Sequence, residues 1–172
     1  MVTALPEGST YRFWDKAMVA ANWFDPAFDD SAWAQGPAPL GYGDPHIVTT
    51  ISFGPNPSSK RITAWFRTTF EVKNAASITS ATINILRDDG ARVFLNGAEA
   101  FRTNMPNGNI TTNTLASNLV VDAEETAIFT FSLSPALFVE GTNFLAVDVH
   151  QAVQDSTDMG IDMEITLEQF GP

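Results

Sequence analysis

The feature that most constrains this sequence is the pair Asn96-Gly97, set between two short runs of alternating apolar residues. A two-residue hairpin of type I′ needs positive φ at both central positions, and Asn followed by Gly tolerates that best. The pair predicts antiparallel strands over 91–95 and 98–103, with Leu95 opposite Ala98, Val93 opposite Ala100 and Arg102 opposite Ala91. That register brings Arg102 out beside the Asp88-Asp89-Gly90 turn.

The same period of two recurs along the chain. Strand-like runs cover 10–14, 61–72, 77–87, 118–121, 127–133, 143–151 and 160–170, each bounded by turn residues. Leu145, Val147 and Val149 alternate with Ala146, Asp148 and His150; Ile161, Met163, Ile165 and Leu167 alternate with Asp162, Glu164 and Thr166. One apolar face per strand predicts an all-β, antiparallel two-sheet β-sandwich. Nine strands in 172 residues, with long N-terminal loops, suit jelly-roll topology. Helical stretches are short: an Asp-rich turn at 26–33, and 134–139, where Ser134 caps and Pro135 takes the first helical position. Segment 36–57 is dense in Pro and Gly and reads as a long surface excursion. No repeat or linker divides the chain, so residues 1–172 are one module with a core at about 10–168.

Charge narrows the partners. Nine basic and 20 acidic side chains give a net charge of −11. Nucleic acid and anionic membrane surfaces need clustered Lys and Arg, and here the basic residues are scattered, so neither is expected as a partner. No apolar run approaches the roughly 20 residues of a membrane span. With no cysteine, disulfides, thiol chemistry and Cys-ligated metal sites are excluded. Residues 1–10 lack the charged-then-apolar pattern of a signal peptide. Few Lys, no Cys and abundant Thr, Asn, Ser and Asp nevertheless suit a secreted, extracellular bacterial protein.

Four segments carry a resemblance: FDDSAWAQGPAPLGYGD (28–44), WFRTTFEV (65–72), DDGARVFLNGAEAFRTNMPNG (88–108) and GTNFLAVDVHQAVQDSTDMGIDMEITL (141–167). In this order they resemble the galactose-binding-like β-sandwich domain. They are similar to modules appended to secreted bacterial metallophosphoesterases and other multidomain extracellular proteins, and to the sugar-binding domain of family 2 glycoside hydrolases. The resemblance covers nearly the whole chain. It implies a carbohydrate-binding module attached to a catalytic domain, with a polysaccharide or oligosaccharide as partner. It is specific for fold and weak for ligand, because fold does not imply function.

Each motif also has a structural reading. Asp29 and Asp30 cap a turn, Trp33 packs into the sandwich, and Gly141-Thr142-Asn143 turns into a central strand. Arg67 and Arg102 have Asp88, Asp89 or Asp148 as candidate ion-pair partners. The ligand-binding reading of the same surface takes Trp23, Tyr42 and Trp65 as stacking aromatics. Arg67, Asp88, Arg102, His150 and Asp158 then supply hydrogen bonds to sugar hydroxyls, with His150 beside Arg102 and Asp158.

Calcium takes six to eight oxygen ligands and mixes carboxylates with loop carbonyls. By resemblance, one structural calcium would sit between an early loop and the last strand, held by Asp25 or Asp30 with Glu164. His46 and His150 are the only histidines and fit no compact transition-metal site. No Gly-x-Ser-x-Gly elbow and no phosphate-binding Gly loop occur. GIDMEI (160–165) has Gly160 where a jelly-roll glucanase strand would carry its nucleophile, so intrinsic catalysis is not expected. The alternatives to sugar capture are a structural or interaction spacer and, further off, a jelly-roll hydrolase or lyase.

Overall fold

The computed structural model describes residues 1–170. Twelve strands follow in order: β1 (Val2–Leu5), β2 (Thr10–Trp14), β3 (Ala34–Pro37), β4 (Leu40–Tyr42), β5 (Thr49–Thr50), β6 (Thr63–Val72), β7 (Ile78–Asp88), β8 (Gly90–Leu95), β9 (Ala98–Thr103), β10 (Ile128–Leu133), β11 (Gly141–His150) and β12 (Met159–Gln169). Among the described residues, helix is confined to short 3₁₀ turns at Ala75–Ser77, Asp122–Thr126 and Pro135–Leu137.

The strands form two six-stranded sheets packed face to face. One runs β10-β7-β12-β4-β5, with β1 also on β12; the other runs β3-β2-β6-β11-β8-β9. Pairing is antiparallel throughout except for the parallel contact of β4 with β5. The alternation read from the sequence decides which side chains meet between the sheets. Leu145, Val147 and Val149 of β11 face Ile161, Met163 and Ile165 of β12 across one apolar core, joined by Phe66, Ile83 and Ile85. Each fully buried aliphatic side chain contributes about 1.5–3 kcal/mol, so this layer holds the fold without a disulfide.

The Asn96-Gly97 hairpin forms, with φ of 51° and 85°, and Leu95 pairs with Ala98. Its register differs from expectation beyond that pair. A bulge between Val93 and Phe94 makes Phe101 the partner of Val93 and sets Arg102 opposite Arg92 instead of Ala91. An extra residue on one strand shifts everything after it by one, and Ala100 is that residue. The hairpin is stitched to β11 by two side chains. Asn96 Nδ2 donates to Asn143 Oδ1 at 2.8 Å, and Phe144 N donates to Asn96 Oδ1 at 2.9 Å.

Segment 36–57 is not a surface excursion. It carries half of β3 and all of β4 and β5, and buries Leu40, Tyr42 and Ile51 in the main core. Strands of two to four residues are too short to show alternation, which is why Pro and Gly dominate the reading there. Conversely, 118–121 forms no strand; it is irregular, and Val120 N donates to Asp89 Oδ1 at 2.6 Å. Pro135–Leu137 is a 3₁₀ turn with Pro at its start, but Ser134 makes no side-chain cap. The Asp-rich stretch 26–33 is non-helical.

Candidate functional site: a polar cleft and an acidic sheet end

The outer face of the β6–β11 sheet is unusual for a solvent-side face because it is buried. Register sets Asp148 of β11 between Trp65 of β6 and Arg92 of β8. The segment 19–33 folds over these residues and seats Trp23 and Trp33 with Trp65, Phe94 and Ala146 in a second apolar cluster. Phe24 stacks on Phe94 at 4.5 Å, and the Arg92 guanidinium lies 4.9 Å from the same ring.

Arg67 organises that covering segment. It is buried; its Nε donates to Asp30 Oδ2 at 2.8 Å, and its Nη1 donates to the carbonyls of Trp23 and Asp25. Arg12 adds a second guanidinium to Asp30 at 3.3 Å.

Between the covering segment and the loop 109–114 lies a cleft of about 360 Å³. Arg92, Asp148 and His150 form its floor, Trp23 and Trp65 a wall, and Asn109, Thr111 and Thr112 its rim. Arg92 grips Asp148 with both Nη2, at 2.6 Å, and Nε, at 3.3 Å. Its Nη1 has no protein partner among the described residues. His150 Nδ1 lies 2.7 Å from the carbonyl of Thr114 and 3.0 Å from Thr63 Oγ1. The Thr63 hydroxyl proton goes to the carbonyl of Thr112, so the ring nitrogen is the donor in both contacts. His150 Nε2 is 3.3 Å from Asp148 Oδ2. Burial raises the Asp148 carboxyl, but His150 and Arg92 outweigh it and hold the group below the ordinary carboxylate range.

A second polar cluster closes one end of the other sheet. Tyr42 sits in the core with its hydroxyl 2.6 Å from Gln151 Nε2, and burial pushes the phenol up to about 12. Asp88, at the end of β7, is fully buried, and neither carboxyl oxygen has a hydrogen-bond partner. Burial, reinforced by Asp89 and Asp158, pushes Asp88 up to about 9. Asp89 differs because its oxygens accept from the backbone N–H groups of Val120 and Ala152. Carboxylate oxygens of Asp44, Glu125 and Asp158 lie within 4.8 Å of one another, so the residues present offer a metal ion three oxygens.

No protein-family model matches the chain, and comparison with curated proteins gives no match. Solved structures do match. Bacteroides uniformis beta-glucuronidase 2 superposes with a TM-score of 0.63 at 21% identity, over 96% of this chain and 18% of its own. A family 2 glycosyl hydrolase from Bacteroides cellulosilyticus gives 0.63 at 15% identity, over 96% and 20%. A beta-glycosidase from Bacteroides vulgatus gives 0.60 at 17% identity, over 98% and 20%. The chain shares the β-sandwich fold of a domain within these glycosidases. The chain spans about one fifth of the length of these enzymes.

Within this frame the expected site residues separate into groups. Trp23, Trp65 and His150 converge on the cleft, although the two tryptophans are only 4% and 2% exposed. Tyr42, Asp88 and Asp158 belong to the acidic end of the other sheet. Tyr42 lies on β4 facing the core instead of in a loop. Arg67 serves the covering segment, and Arg102 binds Glu99 at 2.7 Å and the carbonyls of Pro106 and Gly108. Neither arginine pairs with Asp88, Asp89 or Asp148, and His150 is held by Thr63, Thr114 and Asp148 instead of Arg102 and Asp158.

The residues expected by resemblance to hold calcium have other partners. Asp30 is engaged by two arginines beneath the β6 face, Asp25 Oδ1 caps Ala27 N, and Glu164 pairs with Asn84 on the opposite sheet. Asp162 is buried as well, accepting from the N–H groups of Gly8 and Met163, so it is not a solvent-side residue. Arg92, Asp44, Glu125 and Gln151 escaped sequence reasoning. The available signal for Arg92 was its place opposite Asp148, which needs a strand register that sequence alone does not supply.

Proposed function

We propose that this domain is a non-catalytic carbohydrate-binding module of a secreted bacterial multidomain protein, which holds an attached catalytic domain near a polysaccharide. The observation that carries the reading is the Arg92 guanidinium. Asp148 fixes it in place through Nε and Nη2, and it lines a cleft rimmed by Asn109, Thr111 and Thr112. A fixed donor beside amide and hydroxyl groups suits hydroxyl recognition, and pre-organisation lowers the entropic cost of capture. The neighbours named as glycosidases support an accessory role, since each carries a domain of this fold as a fraction of its chain. Tethering would raise the effective concentration of the catalytic domain at its substrate.

A second reading, a spacer or docking domain without glycan binding, is favoured by the burial of Trp23, Tyr42 and Trp65. These rings pack against protein and leave little face for a sugar. Affinity electrophoresis of the isolated domain against soluble polysaccharides separates the two. Retardation by one polysaccharide that is lost in Asn109→Ala supports capture. Unretarded migration across a broad panel supports the spacer.

A further inference from the structure

We propose that the cleft beside the covering segment 19–33 selects glycans that carry a negative charge, with the acidic group set against Arg92 and His150. The inference rests on sugar capture in that cleft and adds the class of sugar. It begins from the charge of the floor. Of the described residues that line the cleft, only Arg92, Asp148 and His150 are charged or titratable. Register puts Asp148 of β11 opposite Arg92 of β8, and His150 follows two residues later on the same face. Arg92 and Asp148 cancel, because the guanidinium holds the carboxylate through Nη2 and Nε. The charge left over is that of the imidazole.

Hydrogen-bond accounting fixes that charge. His150 Nδ1 faces two acceptors, the carbonyl of Thr114 at 2.7 Å and Thr63 Oγ1 at 3.0 Å, whose own proton goes to the carbonyl of Thr112. Nδ1 therefore carries a proton. Nε2 lies 3.3 Å from Asp148 Oδ2. A ring protonated only at Nδ1 would turn its Nε2 lone pair on a carboxylate, which is repulsive. A second proton makes the same approach attractive. Asp148 stays ionised: burial raises its carboxyl, and His150 and Arg92 outweigh that. The floor thus holds two cations and one anion, an excess of positive charge in a chain whose net charge is −11.

Two further observations direct this charge at a ligand. His150 is fully buried, yet its Nε2 has no hydrogen-bond partner among the described residues, and the ring lines the cleft. An unpaired buried donor calls for a partner, and an anionic oxygen is the strongest kind. Arg102 of β9 lies directly opposite Arg92 and shares its face of the sheet. Like charges opposite one another across strands are unfavourable. Glu99 offsets Arg102 as Asp148 offsets Arg92, so the excess on this face is His150's. The rim groups Asn109, Thr111 and Thr112 are neutral, and no acid among them repels an anion. A neutral sugar would find the same donors but leave the excess charge uncompensated. The carboxylate of a uronic acid and a sulfate ester share the chemistry required, an anionic oxygen carried on a sugar ring.

The test titrates the full chain, at about pH 6 and low ionic strength where charge contacts are least screened, with matched polysaccharides. Polygalacturonate is set against its methyl ester, and dextran sulfate against dextran. The first pair reads a carboxylate and the second a sulfate. The acidic member of at least one pair is expected to bind at least about tenfold tighter than its neutral partner, the scale of one charge contact at a half-buried site. His150→Gln keeps a donor and removes the charge, and should shrink that preference to about twofold or less. Should the variant fail to fold, the matched pairs on the parent chain, read by tryptophan emission beside the cleft, carry the test alone. Tighter binding of the neutral member in both pairs would overturn the acidic class and leave sugar capture standing. Tight binding of an acidic polymer that His150→Gln leaves unchanged would overturn the site. Silence with both acidic polymers overturns the proposal as well, and sugar capture falls with it only if a wider neutral panel is also silent.

Discussion

Arg92 Nη2 lies 2.6 Å from Asp148 Oδ2, on the floor of a cleft that a solvent-facing sheet surface would not ordinarily contain. The pair is almost dry: the two side chains are 15% and 2% exposed. Its carboxylate is held below the ordinary range because His150 and Arg92 outweigh its burial. A depressed carboxyl contributes stability above its unfolded value, near 3.9, and that contribution is lost as pH falls through the folded value. Asp148→Asn should therefore cost about 3–5 kcal/mol at neutral pH by stranding Arg92. It should also flatten the loss of stability below about pH 4. Urea midpoints at pH 7 and pH 3 check both; a variant as acid-sensitive as the parent would remove Asp148 from the account.

Trp65 is a structural residue before it is anything else. It is 2% exposed and packs in the cluster with Trp23, Trp33 and Phe94. Trp65→Ala is expected to destabilise by about 3–5 kcal/mol. Chemical denaturation measures this; a change below about 1 kcal/mol would mean that the ring is available for stacking on a ligand.

Much of the fold was legible because it rests on short-range rules. Alternation in 143–150 and 160–167 identified the inward faces of β11 and β12, and Asn96-Gly97 marked its hairpin. The bulge near Ala100 was not legible, since nothing in local sequence reports an extra residue on one strand. The candidate sites were less legible still. Asp148 and Arg92 lie far apart in sequence and meet only through register, and Asp44, Glu125 and Asp158 at the sheet end meet only through strand order. Trp23 and Trp65 looked like ligand contacts because one lay in a loop and the other on a polar strand face. Arg67 folds the loop back over that face and buries both.

Asn143 shows how a turn motif becomes a tertiary staple. Its side chain accepts from Val139 N at 3.0 Å and Asn96 Nδ2 at 2.8 Å, and donates to the carbonyls of Val139 and Gly141. Asn143→Ala leaves buried partners unsatisfied, each worth about 1–3 kcal/mol. A loss of at least about 2 kcal/mol in urea denaturation is expected; near-parity with the parent would show that water replaces the side chain.

Gly41 has no room for a side chain. A Cβ there would stand 1.8 Å from the carbonyl oxygen of Met159, on the paired strand β12. Gly41→Ala should separate β4 from β12 and lower the melting midpoint sharply or prevent soluble expression. Gly108→Ala, with nothing within 4 Å, is the matched control, and only its positive φ of 90° opposes the change. Equal melting midpoints for the two variants would contradict the β4–β12 register.

The most direct test of the central claim is tryptophan fluorescence of the isolated domain titrated with soluble oligosaccharides. Trp23 and Trp65 wall the cleft, so a ligand entering it alters their surroundings. A saturable change in emission is expected with at least one oligosaccharide, reduced in Asn109→Ala while the melting midpoint stays the same. Flat emission across the panel, or saturation unaffected by the variant, would contradict sugar capture in this cleft.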